Sequence, residues 1–259
     1  MNSAHPLVPD SPAVDSLPAP AMPRVRLNQV KLAPDASLCL LVNTSMLPWP
    51  GLQNLESCLS ASERRQYAGI APPEERERRQ ATRAVLRMVL GQLTGVAAAD
   101  VGIGKGTYGK PCLAGSRAIG FSVPHSGGFS LLAFARDAEI GCDIEKKQPL
   151  EDIRGMSRVA LHPEEAEAIG ALHGRDAEDV FFRHWVRKEA ALKAMGTGFS
   201  ADPARFRAGL EDAEVRLRLV GAEGDAPVAF HLFGMRPAQD YVAAVASPYP
   251  ACRWAALVL

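Results

Sequence analysis

Apolar residues recur with two different periods along this chain, and the switches between them mark the elements. Period-two alternation sends successive side chains to opposite faces of a strand. It predicts strands over Ser37 to Asn43, Val101 to Ile103, Ala118 to Val123, Phe129 to Arg136, Glu139 to Ile144, Val215 to Val220, Val228 to Phe233, Tyr241 to Ser247 and Arg253 to Leu259. Helical spacing predicts helices over Ser60 to Ile70, Pro73 to Leu93 and Ala177 to Met195, with a further helix start at His162-Pro163-Glu164-Glu165. Pro73, followed by Glu74 and Glu75, suits a first helical turn, and Gly95 and Gly196 follow the two long helices as stops. The order helices then strands occurs twice. That predicts an α+β protein of two similar lobes related by pseudo-two-fold symmetry, each a small, mainly antiparallel sheet packed with helices. The expected divisions are a Pro/Ala-rich extension over 1–24, a first lobe over 25–145 and a second over 146–259, with a ligand cleft at the seam.

Two segments put charge where this pattern calls for apolar residues. In Ile140-Gly141-Cys142-Asp143-Ile144-Glu145, period two gathers Ile140, Cys142 and Ile144 on one face and Gly141, Asp143 and Glu145 on the other. In the helix from Ala177, Glu189 falls inside the arc of Phe181, Phe182, Trp185, Val186 and Leu192, with Lys193 beside it. A carboxylate buried without a partner costs several kcal/mol, so Glu189 must be paired, protonated or bound to a metal. An internal Glu189/Lys193 pair with Asp143 and Glu145 on a solvated face is one arrangement. Convergence of the three carboxylates on a hard divalent cation such as Mg²⁺ is the other.

The helix from Pro73 collects Arg76, Arg79, Arg83 and Arg87 in one narrow arc, either a solvated face balanced by Glu74, Glu75 and Glu77 or an anion-binding one. Gly104 to Lys110 matches the first half of a P-loop, but Pro111 stands where the metal-binding Ser or Thr belongs, so the match fails and Lys110 reads as a ligand contact on a hairpin. His125 ends a strand ahead of Ser126-Gly127-Gly128, a turn able to offer hydroxyl and N–H groups to an anion.

Composition narrows the choice. With 259 residues, 47% hydrophobic content and zero formal net charge, the chain reads as an ordinary globular protein with no global pull toward nucleic acid. Aromatics at 6% supply no stacking platform for bases. Five scattered cysteines without C-x-x-C pairing argue against a disulfide framework or a zinc site and for a reduced, cytoplasmic location. The Pro-rich start lacks the order of a signal peptide, and no apolar run reaches membrane-spanning length, so no membrane association is expected.

Taken in order, Tyr108-Gly-Lys110-Pro111, Phe121-Ser-Val-Pro-His125-Ser126, Gly141-Cys-Asp143-Ile-Glu145 and Trp185-x-x-Lys188-Glu189-Ala190-x-x-Lys193-x-x-Gly196-x-Gly198 resemble the 4′-phosphopantetheinyl transferases of the surfactin-synthetase-activating type. The resemblance runs from about Ser60 to Phe199 and more loosely beyond. It implies a monomer of two lobes that moves the phosphopantetheine arm of coenzyme A to a serine of an apo acyl or peptidyl carrier protein, releasing 3′,5′-ADP. By position, Asp143, Glu145 and Glu189 would hold Mg²⁺. Glu189 would also take the serine proton, and Lys193 would serve the leaving group. Arg83, His125 and Ser126 would contact the coenzyme A phosphate, Lys110 would lie near the adenine, and Arg64, Arg65 or Arg79 would add basic contacts. The family often has serine where this chain has Pro124, which supplies neither hydroxyl nor N–H; Ser126 or Ser122 is expected to compensate. A non-catalytic coenzyme A-binding module and a Mg²⁺-dependent pyrophosphate hydrolase are the competing readings.

Overall fold

The computed structural model describes residues 22–45, 55–106, 109–196, 202–211, 213–217 and 228–258. In chain order the elements are β1 (Arg24–Arg26), β2 (Ser37–Asn43), α1 (Ala61–Ala68), α2 (Pro73–Thr94), β3 (Ile103–Lys105), β4 (Pro111–Leu113), β5 (Ile119–Ser122), β6 (His125–Ser126), β7 (Phe129–Arg136) and β8 (Gly141–Lys146). There follow α3 (Ile153–Ala160), α4 (Pro163–Gly170), α5 (Gly174–Met195), β9 (Ala213–Leu217), β10 (Val228–Met235), β11 (Tyr241–Ser247) and β12 (Cys252–Val258). Tyr108, Gly198, most of the Pro-rich start and residues 218–220 of an expected strand lie outside the described residues.

The protein is mixed α+β, built on two main sheets that each carry one 22-residue helix, with β3 and β4 paired as a small third sheet. The first sheet has the order β1-β12-β2-β7-β5, with β6 also paired to β7; the second has the order β8-β11-β10-β9. The second is antiparallel throughout the described pairings, whereas in the first β12 runs parallel to both β1 and β2. The division expected at 145 is therefore not the division between sheets. β8 belongs to the second sheet and Cys252–Val258 to the first, because the hydrogen-bonding edge of β2 is filled from the far end of the sequence rather than by a neighbour.

Alternation splits each central strand between two cores. From β2 and β7, Leu38, Leu40, Val42, Leu132 and Phe134 pack against Val85, Leu86, Val89 and Leu90 of α2. The intervening Cys39, Leu41, Leu131 and Ala133 face the second sheet and meet Cys142, Ile144, Ala243 and Val245. On the far side, Val242, Ala244 and Ala246 of β11 pack with Phe181, Val186, Ala190 and Ala194 of α5. The layers thus run α2, first sheet, second sheet, α5, and the predicted Ile140/Cys142/Ile144 face of β8 is the one buried between the sheets. No described helix is long and apolar enough to cross a membrane.

Candidate active site

The opposite face of β8 presses against α5. A side chain at Gly141 would put its Cβ 2.0 Å from the Ala190 carbonyl oxygen and 2.3 Å from the Ala194 nitrogen, so only glycine lets the helix backbone lie directly on the strand. Two residues along the same face, Asp143 meets the helix where its turns present Glu189 and Lys193. Lys193 Nζ donates to Asp143 Oδ1 at 2.6 Å and lies 3.9 Å from Glu189 Oε2. Of the first arrangement left open by the sequence the i,i+4 contact is present, but Asp143 is buried, not solvated, and joins it through Lys193.

This group is short of positive charge. Burial pushes the Asp143 carboxyl up to about 7 against the pull of Lys193, and the Glu145 and Glu189 charges add to the rise. Glu189 is raised by its burial in the same way, with Lys193 opposing and Glu145 reinforcing it. Lys193, although partly desolvated, is held above the ordinary lysine value by Asp143 and Glu189. Asp143 Oδ2 and Glu189 Oε1 are buried and have no hydrogen-bond partner. Buried carboxylate oxygens in that state are the acceptors a cation or a donor hydroxyl would satisfy. Glu145 is turned differently: its Oε2 accepts a 2.9 Å hydrogen bond from the Ser126 hydroxyl. Among the described residues no three His, Cys, Asp or Glu side chains are gathered tightly enough to hold a metal ion.

Ser126 also accepts from the Lys146 N–H at 3.0 Å, so its hydroxyl proton is engaged with Glu145 and not offered to a phosphate. Ser122 is buried, and its hydroxyl takes the Cys142 N–H at 3.2 Å. Both hydroxyls expected to compensate for Pro124 therefore have partners within the protein. His125 is exposed on β6 and faces the start of α2, where Arg79 first and His125 after it hold the Glu75 carboxyl below the usual range.

The basic arc of α2 is largely paired. Arg79 meets Glu75 at 2.6 Å, Arg83 Nε meets Glu63 Oε1 at 2.5 Å, and Arg87 Nε meets Glu63 Oε2 at 2.6 Å. Arg87 is 3% exposed and also donates to the carbonyls of Ala98, Ala99 and Val101, which makes it a core residue and not part of an anion-binding face. Glu63 was legible from Ser60-x-x-Glu63, the capping-box spacing that opens α1: Glu63 N–H donates to the Ser60 hydroxyl and Ser60 N–H to Glu63 Oε2. Arg64 is engaged with the carbonyls of Glu56 and Leu59. Arg65 is exposed.

Lys110 stands immediately before β4, on the connection of the β3-β4 hairpin, and donates to Glu139 Oε2 at 2.6 Å and to the Ile140 carbonyl at 2.8 Å. It lines a cavity of about 730 Å³, together with Cys112, Arg117, Phe121, Glu139 and Met195. That volume suits a small-molecule ligand. The cavity reaches the end of α5 just beyond Lys193; Asp143, Glu145, Glu189, His125 and Arg83 do not line it.

Lys188, beside Glu189, does something the sequence reading missed. It is fully buried, 2.9 Å from Glu165 Oε2, donates to the carbonyls of Pro203 and Phe206, and lies over the Phe206 ring. Glu165 also takes the N–H groups of Ala208 and Gly209 and lies 3.3 Å from His184 Nδ1. These bonds tie α4, α5 and residues 202–211 into one unit behind the carboxylates.

Comparisons with known proteins place the chain in a family. Residues 139–246, the stretch containing β8, α5 and all but the last residue of β11, match the model of the 4′-phosphopantetheinyl transferase superfamily. The 4′-phosphopantetheinyl transferase HetI of a Nostoc species is 32% identical over 203 residues, which cover 77% of this chain and 82% of that protein. The 4′-phosphopantetheinyl transferase Sfp of Bacillus subtilis is 26% identical over 205 residues, covering 74% and 88% respectively. The similarity to HetI extends well beyond the carboxylate segments, and the chain belongs, as an enzyme, to the 4′-phosphopantetheinyl transferase superfamily.

Proposed function

We propose that this chain transfers the 4′-phosphopantetheine arm of coenzyme A to a serine hydroxyl of an acyl or peptidyl carrier protein, with Mg²⁺ as cofactor, releasing 3′,5′-ADP as enzymes of the surfactin-synthetase-activating type do. The observation that carries the reading is the meeting of Asp143, Glu189 and Lys193 across β8 and α5, with one carboxylate oxygen of each acid buried and unpartnered.

Asp143 and Glu189 each offer a hard cation one buried, unpartnered carboxylate oxygen, and Glu145 would have to leave Ser126 to complete the set. The donors are carboxylate oxygens, two of them lack partners, and the group has more acidic than basic charge, as an Mg²⁺ site shared with substrate phosphates requires. Asp143, Glu145 and Glu189 would hold it, and once bound it would neutralise charge on the pyrophosphate. The protein's own groups supply the rest. Burial keeps the Glu189 carboxylate basic enough to accept the serine proton as the hydroxyl approaches phosphorus. Lys193, held protonated by its acidic neighbours, stands ready to neutralise the departing 3′,5′-ADP. Lys110, on the wall of the cavity, would take the nucleotide end, and His125 with Arg83, outside that lining, would take the 3′-phosphate.

The test is intact-mass measurement of an apo carrier protein incubated with this chain, coenzyme A and Mg²⁺. A gain of one phosphopantetheine mass, abolished by a chelator and by Glu189→Gln, is the expected result. Release of the arm into solution without a carrier adduct would point to a hydrolase, and coenzyme A binding without turnover on any carrier type would overturn the transferase reading.

A further inference from the structure

The turn joining β6 to β7 belongs to the first sheet but is bonded on three sides. Its Gly128 carbonyl accepts from the N–H groups of Thr44 at 2.8 Å and Ser45 at 3.2 Å, which ties it to the end of β2. Its Gly128 N–H donates to the Tyr241 hydroxyl at 3.1 Å, at the start of β11 in the other sheet. One residue before the turn, Ser126 is held by Glu145 and Lys146 on β8.

The fit at Tyr241 is close. Gly127 has φ 53°, and a Cβ there would come within 2.3 Å of the tyrosine hydroxyl oxygen, so the turn rests on that oxygen with no room for a side chain. The tyrosine ring already has its apolar partners: it belongs to the core between the sheets and meets Phe129 edge-on at 4.9 Å. A phenylalanine would serve that packing equally well, so the hydroxyl is there for the Gly128 N–H. Tyr241 does not line the cavity.

We infer that Tyr241 is a positioning residue: by clamping the Gly127-Gly128 turn to the second sheet, its hydroxyl fixes His125 relative to the Asp143–Glu189–Lys193 group. Ser126 acts alongside it by orienting the Glu145 carboxylate. The inference rests on the proposed role of His125 at the 3′-phosphate, and it makes a distinctive prediction. Freeing the turn should weaken only those ligands that carry that phosphate.

The experiment compares calorimetric binding of coenzyme A and of 3′-dephospho-coenzyme A to the wild type and to Tyr241→Phe, with transfer to a carrier measured alongside. The expected result is that Tyr241→Phe weakens coenzyme A about tenfold, the size of one charge-assisted hydrogen bond, leaves the dephospho form unchanged, and retains kcat at saturating coenzyme A. A merely structural role would weaken both ligands together. Equal weakening, or no change in either, overturns the inference, as does a wild type that binds the two forms alike. If Tyr241→Phe does not fold, Gly127→Ala displaces the same turn and must give the same selective loss. Failure of the wild type to modify any carrier would sink the transferase reading, while the binding comparison would still decide the clamp.

Discussion

Lys193 Nζ stands 2.6 Å from Asp143 Oδ1 on the facing strand and 3.9 Å from Glu189 Oε2 one turn back on its own helix. One ammonium thus serves two carboxylates whose other oxygens are buried without partners. Chemistry and stability pull in opposite directions here. Each acid costs folding free energy when ionised, and each would be useful only when ionised.

Glu189→Gln separates the two. Because burial disfavours the ionised form, the neutral isostere is expected to fold at least as stably as the wild type. Loss of the proton acceptor should lower kcat by about 10²- to 10⁴-fold. Thermal melting together with the carrier mass assay checks both halves; a destabilised variant with intact turnover would make Glu189 a structural residue.

Mg²⁺ should stabilise the wild type through Asp143. Anything that binds only the folded state raises the melting temperature by mass action. Millimolar Mg²⁺ is therefore expected to raise the wild-type melting temperature, and a chelator to reverse the rise. Asp143→Ala should abolish the response, and melting scans with and without Mg²⁺ decide the matter.

Between α1 and α2, acid should loosen the Glu63 clasp. Burial opposes ionisation of Glu63, but hydrogen bonds from Arg87, Ser60 and Arg83 bring its carboxyl down to about 2. An unfolded glutamate titrates near 4.3. A depressed folded value means that the contribution is complete above the unfolded value and is lost as the pH falls from about 4.3 toward 2. That gap corresponds to roughly 3 kcal/mol. Glu63→Gln should therefore be less stable than the wild type at neutral pH, with the difference closing near pH 2; a difference independent of pH in urea titrations would contradict the assignment.

Lys188 is predicted to be a folding residue in a catalytic-looking motif. Burial pulls its pKa below the ordinary lysine value, and Glu165 offsets that. Replacing Lys188 by Met leaves Glu165 short of a buried partner and should cost about 3–5 kcal/mol. The double variant Lys188→Met/Glu165→Gln should cost less than the sum of its parts, since the two share one interaction. Chemical denaturation of the four proteins completes the cycle.

The carboxylate site was legible because β8 and α5 each carry a local period that assigns their charged residues to one face. Alternation put Asp143 and Glu145 on one face and helical spacing placed Glu189 and Lys193 together, so only the docking of strand on helix, for which Gly141 makes room, had to come from the fold. The arginine arc was less legible. Helical spacing aligns Arg79, Arg83 and Arg87 correctly, but nothing local indicates that Glu63, two dozen residues from Arg87, would reach across from α1 to engage two of them. The partners of Ser126 and Tyr241 were hidden for the same reason: each bond joins segments of different sheets. Short β1, β4 and β6 carry too few residues for alternation to register, and the parallel seat of β12 depends on which strand edge is left open once the rest has folded.

That seat bears on how the protein is made. Residues 252–258 lie between β1 and β2, so while a ribosome is still delivering them the first sheet has an open edge at β2 and no neighbour for β1. Both long helices and the whole second sheet emerge earlier. The half of the molecule synthesised first is therefore completed last, and the nascent chain carries an exposed strand edge until then, the kind of surface that chaperones cover and aggregates recruit.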